Sequence, residues 1–401
     1  MKNKTKNPYL EKELEVFMHT FKRQPLLIKK AKGSWVWDES GKKYLDFYSG
    51  IAVCGVGHSN KNIVNAIKKQ AELLIHSSNF FYTQPQFKYA QELTRKWKNS
   101  KVFFSNTGAE ANELCIKLAR LWATKENKKG REIITFQNAF HGRTIATSTA
   151  SWGKTRSNSV YEPLLEGFKS VPYNDLTALT NAINENTIAV MMEPVQGEGG
   201  INIASETFLE GTDKLCKENN LLLILDEVQS GMGRTGTFFS FEQYHVQPDI
   251  VSLAKGIAGG LPLGATLAAP RVSKYMEPGL HGSTFGGNPV SCASALEVLK
   301  ILSSRGLVGI QKTASLIKDK LSEFQTHPKV QAIRQKGLMI GIELKVPGDP
   351  YVSMAREKGL LINCTQGNVL RFLPSYTINK KEINLAFKIL SLVFKEMERY
   401  G

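Results

Sequence analysis

Residues 221–238 read LLLILDEVQSGMGRTGTF, and three chemistries can claim them. An aliphatic run ending in Asp226-Glu227 has the form of the second half of an ATPase site. Gly231 to Gly236 spell G-x-G-x-x-G, the dinucleotide fingerprint. Asp226, at the C-terminal edge of a buried strand, also stands where an acid would meet the ring nitrogen of a bound heteroaromatic group.

The flanking sequence separates these readings. An ATPase needs a phosphate loop, G-x-x-x-x-G-K-[ST]. The nearest match is SWGKT (151–155), but Ser148 stands five residues before Gly153, where the loop needs Gly, and Gly41-Lys42 is followed by Lys43. A dinucleotide site needs its glycines to open a helix and an acid at the end of the next strand. Gly236 is followed by TFFSFEQYHVQP, aromatic-rich and stopped by Pro248, and Asp249 opens the next strand instead of ending it. The glycines therefore read as a surface loop. A fourth pattern, SLAK (252–255), matches the S-x-x-K of serine acylases, but on a strand residues three apart face opposite ways, and no K-T-G follows.

The third reading gains from what lies downstream. Residues 250–270 read IVSLAKGIAGGLPLGATLAAP, with Lys255 the one ionisable side chain among them. Burial between a strand and a Gly-rich turn lowers an amine toward its neutral form, which attacks aldehydes. In open α/β sheets ligands sit outside the C-terminal strand edges, where both Asp226 and Lys255 fall. An electron-sink cofactor needs that pair, an imine-forming Lys and a carboxylate on a pyridine nitrogen. A phosphate site is available too. FFSNTGAEANE (103–113) runs from strand through a small-residue turn into a helix, so the N–H groups of Thr107, Gly108 and Ala109 would meet a dianion. HGSTFGGNP (281–289), with the Thr284 hydroxyl in a Gly-rich loop, is a second candidate. Together these features favour pyridoxal phosphate.

The middle of the chain fits an α/β sheet. KVFFS (101–105), REIITF (131–136), TIAVMME (187–193), LLLILDE (221–227), DIVSLA (249–254) and LGATLAA (263–269) are apolar runs of the kind covered on both faces. Ala111, Leu114, Cys115, Leu118, Ala119 and Trp122 form a helical stripe between the first two. Residues 34–48 read as a hairpin turning at DESGKK, and beyond 295 come amphipathic helices (310–324, 382–397) and short strands (LMIGIEL, NVLRFLP). The expectation is a large domain over 61–295 with a mainly parallel covered sheet, and a smaller α+β domain built from 1–60 and 296–401.

At 401 residues the chain can bury a large core, and no apolar run reaches the roughly 18 residues of a membrane helix. The net charge of +16 is spread along the chain, with its densest groups (KNKTK, KENKKGR) in a tail and a loop, so no nucleic-acid face is expected. Five cysteines without a C-x-x-C pair imply reduced thiols and no metal site. The N-terminus lacks a signal peptide's apolar core, and the expected location is the cytoplasm.

The ordered segments GIAVCGVGH, SNFFYTQPQ, FFSNTGAEANELCIKLAR, NAFHGRTIAT, EPVQGEGGI, LLILDEVQSGMGRTG, DIVSLAKGIAGGLPLGA, HGSTFGGNP and NVLRFLP span nearly the whole chain. They resemble the class III aminotransferases, and within them the enzymes that act on acetylated ornithine. The resemblance implies a fold type I homodimer with shared active sites, in which Lys255 bonds to the cofactor and Asp226 holds its ring nitrogen. It implies that Gly108, Ala109 and a second copy's Thr284 bind the phosphate. Phe140 and Val228 would flank the ring, with Gln229 near its hydroxyl. Arg143 would hold a substrate carboxylate with Ser283 nearby, and Arg371 would pair with Glu198 as a switchable clamp. LPSYT (373–377) and Gln84 depart from the usual pattern. The reaction implied moves the terminal amine of N2-acetylornithine to 2-oxoglutarate. Ornithine, succinyl-diaminopimelate, 4-aminobutyrate and lysine are the alternative donors.

Overall fold

The structure, a computed structural model, describes Tyr9 and residues 12–152 and 161–398. The KNKTK tail and Gly153 of SWGKT lie outside the described residues.

Seven strands form the central sheet: β1 (Lys101–Ser105), β2 (Glu132–Phe136), β3 (Phe168–Val171), β4 (Thr187–Met192), β5 (Leu222–Asp226), β6 (Ile250–Leu253) and β7 (Gly264–Ala268). Their order is β1-β7-β6-β5-β4-β2-β3. From β3 to β6 every pairing is parallel, and β7 runs antiparallel to both its neighbours. The six strands read from sequence are present, each within about a residue of its expected ends. β3 is an addition. It lies at the sheet edge and is only half-buried over most of its length, so it lacks the continuous apolar run that marks the others.

Alternation of side chains fixes which face each residue meets. Leu222 and Ile224 of β5 pack with Leu114, Cys115, Leu118 and Trp122 of helix α1 (Gly108–Lys125), whereas Leu223 and Leu225 pack with Phe208 and Leu209 on the opposite face. Asp226, next in the first series, therefore faces α1. Ile250 and Met191 also belong to the α1 face, which carries Ser252 and Glu193 to the same side.

The two ends of the chain meet. Strands Trp35–Asp38 and Lys43–Asp46 form the expected hairpin, and Leu360–Leu361 adds in parallel beside Lys43–Asp46. A four-stranded antiparallel sheet, Val330–Lys336, Met339–Leu344, Val369–Phe372 and Asn363–Thr365, carries Arg371 opposite Gly341 and Asn363.

One sequence expectation is corrected. Gly231–Gly236 is not a surface loop, because all six residues are buried. Gly337 comes so close that a Cβ on it would lie 2.4 Å from the Thr235 carbonyl carbon. Arg234 donates from Nη1 to the carbonyls of Leu338 and Pro374 and lies over the Tyr376 ring.

Candidate active site

The C-terminal edges of β4, β5 and β6 open onto a cavity of about 510 Å³, whose lining includes Lys255, Asp226, Thr107, Gly108, Ala109, Phe140, Arg143, Glu198, Val228 and Gln229. Lys255 follows β6 directly and has a left-handed backbone (φ 46°) at the head of a short 3₁₀ turn. A side chain held in that conformation needs support from its surroundings. Burial pushes its amine below the usual lysine range, against the pull of Glu198 and Asp226. Ser252, the other half of SLAK, donates its hydroxyl to Asn112 Oδ1 at 2.6 Å.

Asp226 is almost completely enclosed and held on several sides. Its Oδ2 accepts from Asn112 Nδ2 and pairs with His141 Nδ1, each at 2.7 Å, and its Oδ1 accepts from the Val228 N–H at 3.0 Å. His141 is raised above the ordinary histidine range because the adjacent carboxylate outweighs its burial. Among the described residues its buried Nε2 has no partner. Sequence reasoning did not assign Asn112 or His141. A detectable signal existed for Asn112, an amide on the buried face of an otherwise apolar helical stripe.

Glu193 was also missed. It lines the cavity, is buried, and is pushed up to about 7 by burial and by the charge of Asp226. Its position, an acid just past a continuous apolar strand, has the same signature as Asp226.

The start of α1 is built to receive an anion. Thr107 caps it through its hydroxyl, and Glu110 completes a capping box. The Thr107 N–H is not free as expected, since it donates to the Glu110 carboxylate at 3.0 Å. Gly108 and Ala109 lie in the first turn, where N–H groups have no partner within the helix. A Cβ on Gly108 would lie 2.6 Å from Val228 Cγ1, so only glycine keeps this cradle open. Phe140 and Val228 both line the cavity, and the Arg143 guanidinium lies 5.6 Å from the Phe140 ring centre. The isolated lysine, the enclosed acid and the open helix start match the aldehyde, ring nitrogen and phosphate of pyridoxal phosphate.

Arg371, buried in its sheet, donates from Nη1 to Glu198 Oε1 at 2.7 Å and to the Gly197 carbonyl at 2.8 Å. Although burial acts to raise it, the Glu198 carboxyl sits below its ordinary range because Arg371 and Lys255 are close. Ser283 and Thr284 do not join this cavity within one chain. Ser283 Oγ accepts from Asn106 at 3.3 Å, and Thr284 is exposed in a neighbouring groove with Phe285 and His76.

The chain is similar to known proteins along nearly its whole length. Similar sequences include acetylornithine aminotransferases from Methanocaldococcus jannaschii, 45% identical over 98% of this chain and 99% of theirs, and from Caldanaerobacter subterraneus, 45% identical over 96% and 98%. Among solved structures, the ornithine aminotransferase of Toxoplasma gondii matches with a TM-score of 0.94 and 31% identity, covering 100% of this chain and 97% of that one. The N-acetylornithine aminotransferase of Stenotrophomonas maltophilia matches at 0.84 and 33%, covering 98% and 100%. A sequence model described as aminotransferase class-III spans residues 17–394. With lysine, acid and helix start at one edge of the sheet and this likeness along nearly its whole length, the chain belongs to the class III aminotransferases.

Proposed function

We propose that this protein moves the terminal amino group of N2-acetylornithine to 2-oxoglutarate, giving N-acetylglutamate 5-semialdehyde and glutamate, a step of arginine biosynthesis. The observation that carries the reading is the placement of the Lys255 amine, the Asp226 carboxylate and Glu198, itself paired with Arg371, around one cavity.

Bound pyridoxal phosphate supplies an aldehyde that captures the substrate amine and a ring that accepts the electron pair left on the substrate carbon. Lys255, with its amine lowered by burial, anchors the cofactor. When not bonded to the cofactor, its Nζ would take the proton from the donor's amine-bearing carbon and return it at the far end of the proton shift. Asp226, held by Asn112, His141 and Val228, keeps the ring nitrogen protonated. Gly108 and Ala109 hold the phosphate, Phe140 and Val228 flank the ring, and Gln229 reaches its hydroxyl.

The two substrates impose a geometric demand. The donor reacts at an amine remote from its carboxylate, whereas glutamate reacts beside one carboxylate and carries a second. Arg143 takes the carboxylate remote from the reacting carbon. Arg371 is masked by Glu198 in the donor half-reaction and takes the glutamate α-carboxylate in the other.

The working unit is a homodimer in which Thr284 of a second copy completes the phosphate site and Ser283 approaches the substrate. Support comes from an aromatic surface beside them: Phe80 and Tyr82 are 94% and 96% exposed, and Phe81 and Phe285 are exposed as well. The chain divides into residues 61–295 and a smaller domain of 1–60 and 296–401, supported by the pairing of Leu360–Leu361 with Leu45–Asp46. The protein works in the cytoplasm, a reading supported by its five free cysteines. Among the described residues no helix is long and apolar enough to cross a membrane.

Ornithine is the second reading, favoured by the likeness to the Toxoplasma gondii ornithine aminotransferase structure. A donor panel with 2-oxoglutarate as acceptor separates the two. Acetylornithine should give the highest kcat/KM, and a higher value for ornithine, succinyl-diaminopimelate, 4-aminobutyrate or lysine would overturn the assignment.

A further inference from the structure

Glu193 bridges two loops that line the cavity. Its Oε1 accepts the Phe140 N–H at 2.9 Å, and its Oε2 accepts the Gly197 N–H at 3.2 Å. The first loop delivers Phe140, His141 and Arg143, and the second delivers Glu198. The loops are in close contact, since a Cβ on Gly199 would lie 2.7 Å from the Asn138 carbonyl oxygen.

Gly197 is gripped through both of its backbone polar groups. Its N–H rests on Glu193 and its carbonyl accepts from Arg371. The next carbonyl, that of Glu198, accepts from Thr365 Oγ1 and Gln366 Nε2. The backbone of this turn is therefore fixed around the Glu198 side chain, which is 32% exposed. Arg371 has two anchors besides Glu198, the Gly197 carbonyl and Asn363 Oδ1.

We propose that Glu193 is a positioning residue for the carboxylate clamp: it pins the Gly197 peptide so that Arg371 keeps its place when the Glu198 side chain turns away. The inference rests on the clamp described above and adds the element that holds its fixed half. The switch is then a side-chain rotation on a rigid turn, with no loop movement required. Without the pin, Gly197 would drift with Glu198 and Arg371 would lose a second anchor at the moment it must meet the glutamate α-carboxylate.

Glu193 also makes the clamp responsive to pH. Asp226 and His141 face it across the α1 side of the sheet, and the Lys255 amine feels its charge across the cavity. From the loop after β3, the Tyr173 hydroxyl donates to the Glu193 carbonyl at 2.7 Å. With its carboxyl pushed up to about 7, Glu193 accepts both N–H groups fully above that pH and holds them less well below it.

The test is Glu193→Gln, which replaces one accepting oxygen with an NH2 group that cannot accept an N–H. In the apo protein, backbone hydrogen exchange at 196–199 should speed up by on the order of tenfold, the loss of about one hydrogen bond to a charged group. In the holoenzyme, KM for 2-oxoglutarate should rise by a similar factor while the acetylornithine half-reaction changes little. The rise of that KM as wild type is taken below about pH 7 should vanish in the variant. Unchanged exchange at 196–199, or equal losses in both half-reactions, would overturn the proposal. If Glu193→Gln does not fold, Glu193→Asp, which shortens the reach to one loop, is read by the same criteria. Equal half-reaction losses in Glu198→Ala would overturn the clamp, whereas faster exchange in Glu193→Gln would still support the pin.

Discussion

Gly108→Ala probes the cofactor cradle through a single methyl group. The added carbon would lie 2.6 Å from Val228 Cγ1 and 3.0 Å from Cγ2, against an optimal carbon separation of about 3.5–4.0 Å. Val228 cannot yield easily, because its branched side chain is stiff about χ1 and its N–H holds Asp226. Overpacking of this kind costs about 1–3 kcal/mol. The loss of glycine freedom in the unfolded chain offsets about 0.4–1 kcal/mol, which leaves a net destabilisation of roughly 1–2 kcal/mol. The strain is relieved by shifting the helix start off the phosphate, so the dissociation constant for pyridoxal phosphate should rise about 5- to 30-fold. Titrating the apo protein with the cofactor measures the affinity, and urea unfolding measures the stability. Val228→Ala removes both obstructing methyls, so in a double-mutant cycle it should recover most of both losses, with a coupling of about 1 kcal/mol or more. Wild-type affinity in Gly108→Ala, or no recovery in the double variant, would refute the packing argument.

Asp226→Asn keeps the shape but removes the anion and sets an amide against the Asn112 donor. The chemical step should slow by at least about 10²-fold in single turnovers, and near-normal turnover would count against its role. Glu198→Ala should harm the acetylornithine half-reaction more than the glutamate half, and equal losses would retire the clamp. His58 is raised to about 10, chiefly by its hydrogen bond to Asp46. A raised pKa in the folded state means the pair's stabilisation is fully present below the ordinary histidine pKa of about 6.5 and is lost as pH climbs through 10. The stability difference between wild type and His58→Gln should shrink across that window, and a constant difference would contradict the assignment.

Asp226 and Lys255 were legible because both are ionisable groups at the ends of continuously apolar strands, where burial leaves few uses for charge. Glu193 has the same signature in TIAVMME and was passed over, since an acid there could equally have turned to solvent. His141 and Asn112 stood within quoted motifs, yet what makes them matter is that both reach Asp226 from elements 85 and 114 residues away in sequence. The burial of Gly231–Gly236 was invisible for a related reason: what covers the loop is Gly337, Leu338 and Pro374, about a hundred residues downstream. β3 was missed because an edge strand needs only one good face. Ser283 was placed near the substrate by resemblance alone and Thr284 also by its Gly-rich loop, and within one chain both lie outside the cavity.

The central claim is that the Lys255 amine bonds to the cofactor's aldehyde. Borohydride reduction of the protein saturated with pyridoxal phosphate, followed by peptide mapping, tests it directly. The account predicts a stable pyridoxyl label on Lys255, absent from Lys255→Ala while that variant stays folded. Stoichiometric label on any other lysine, or none at all, would contradict it.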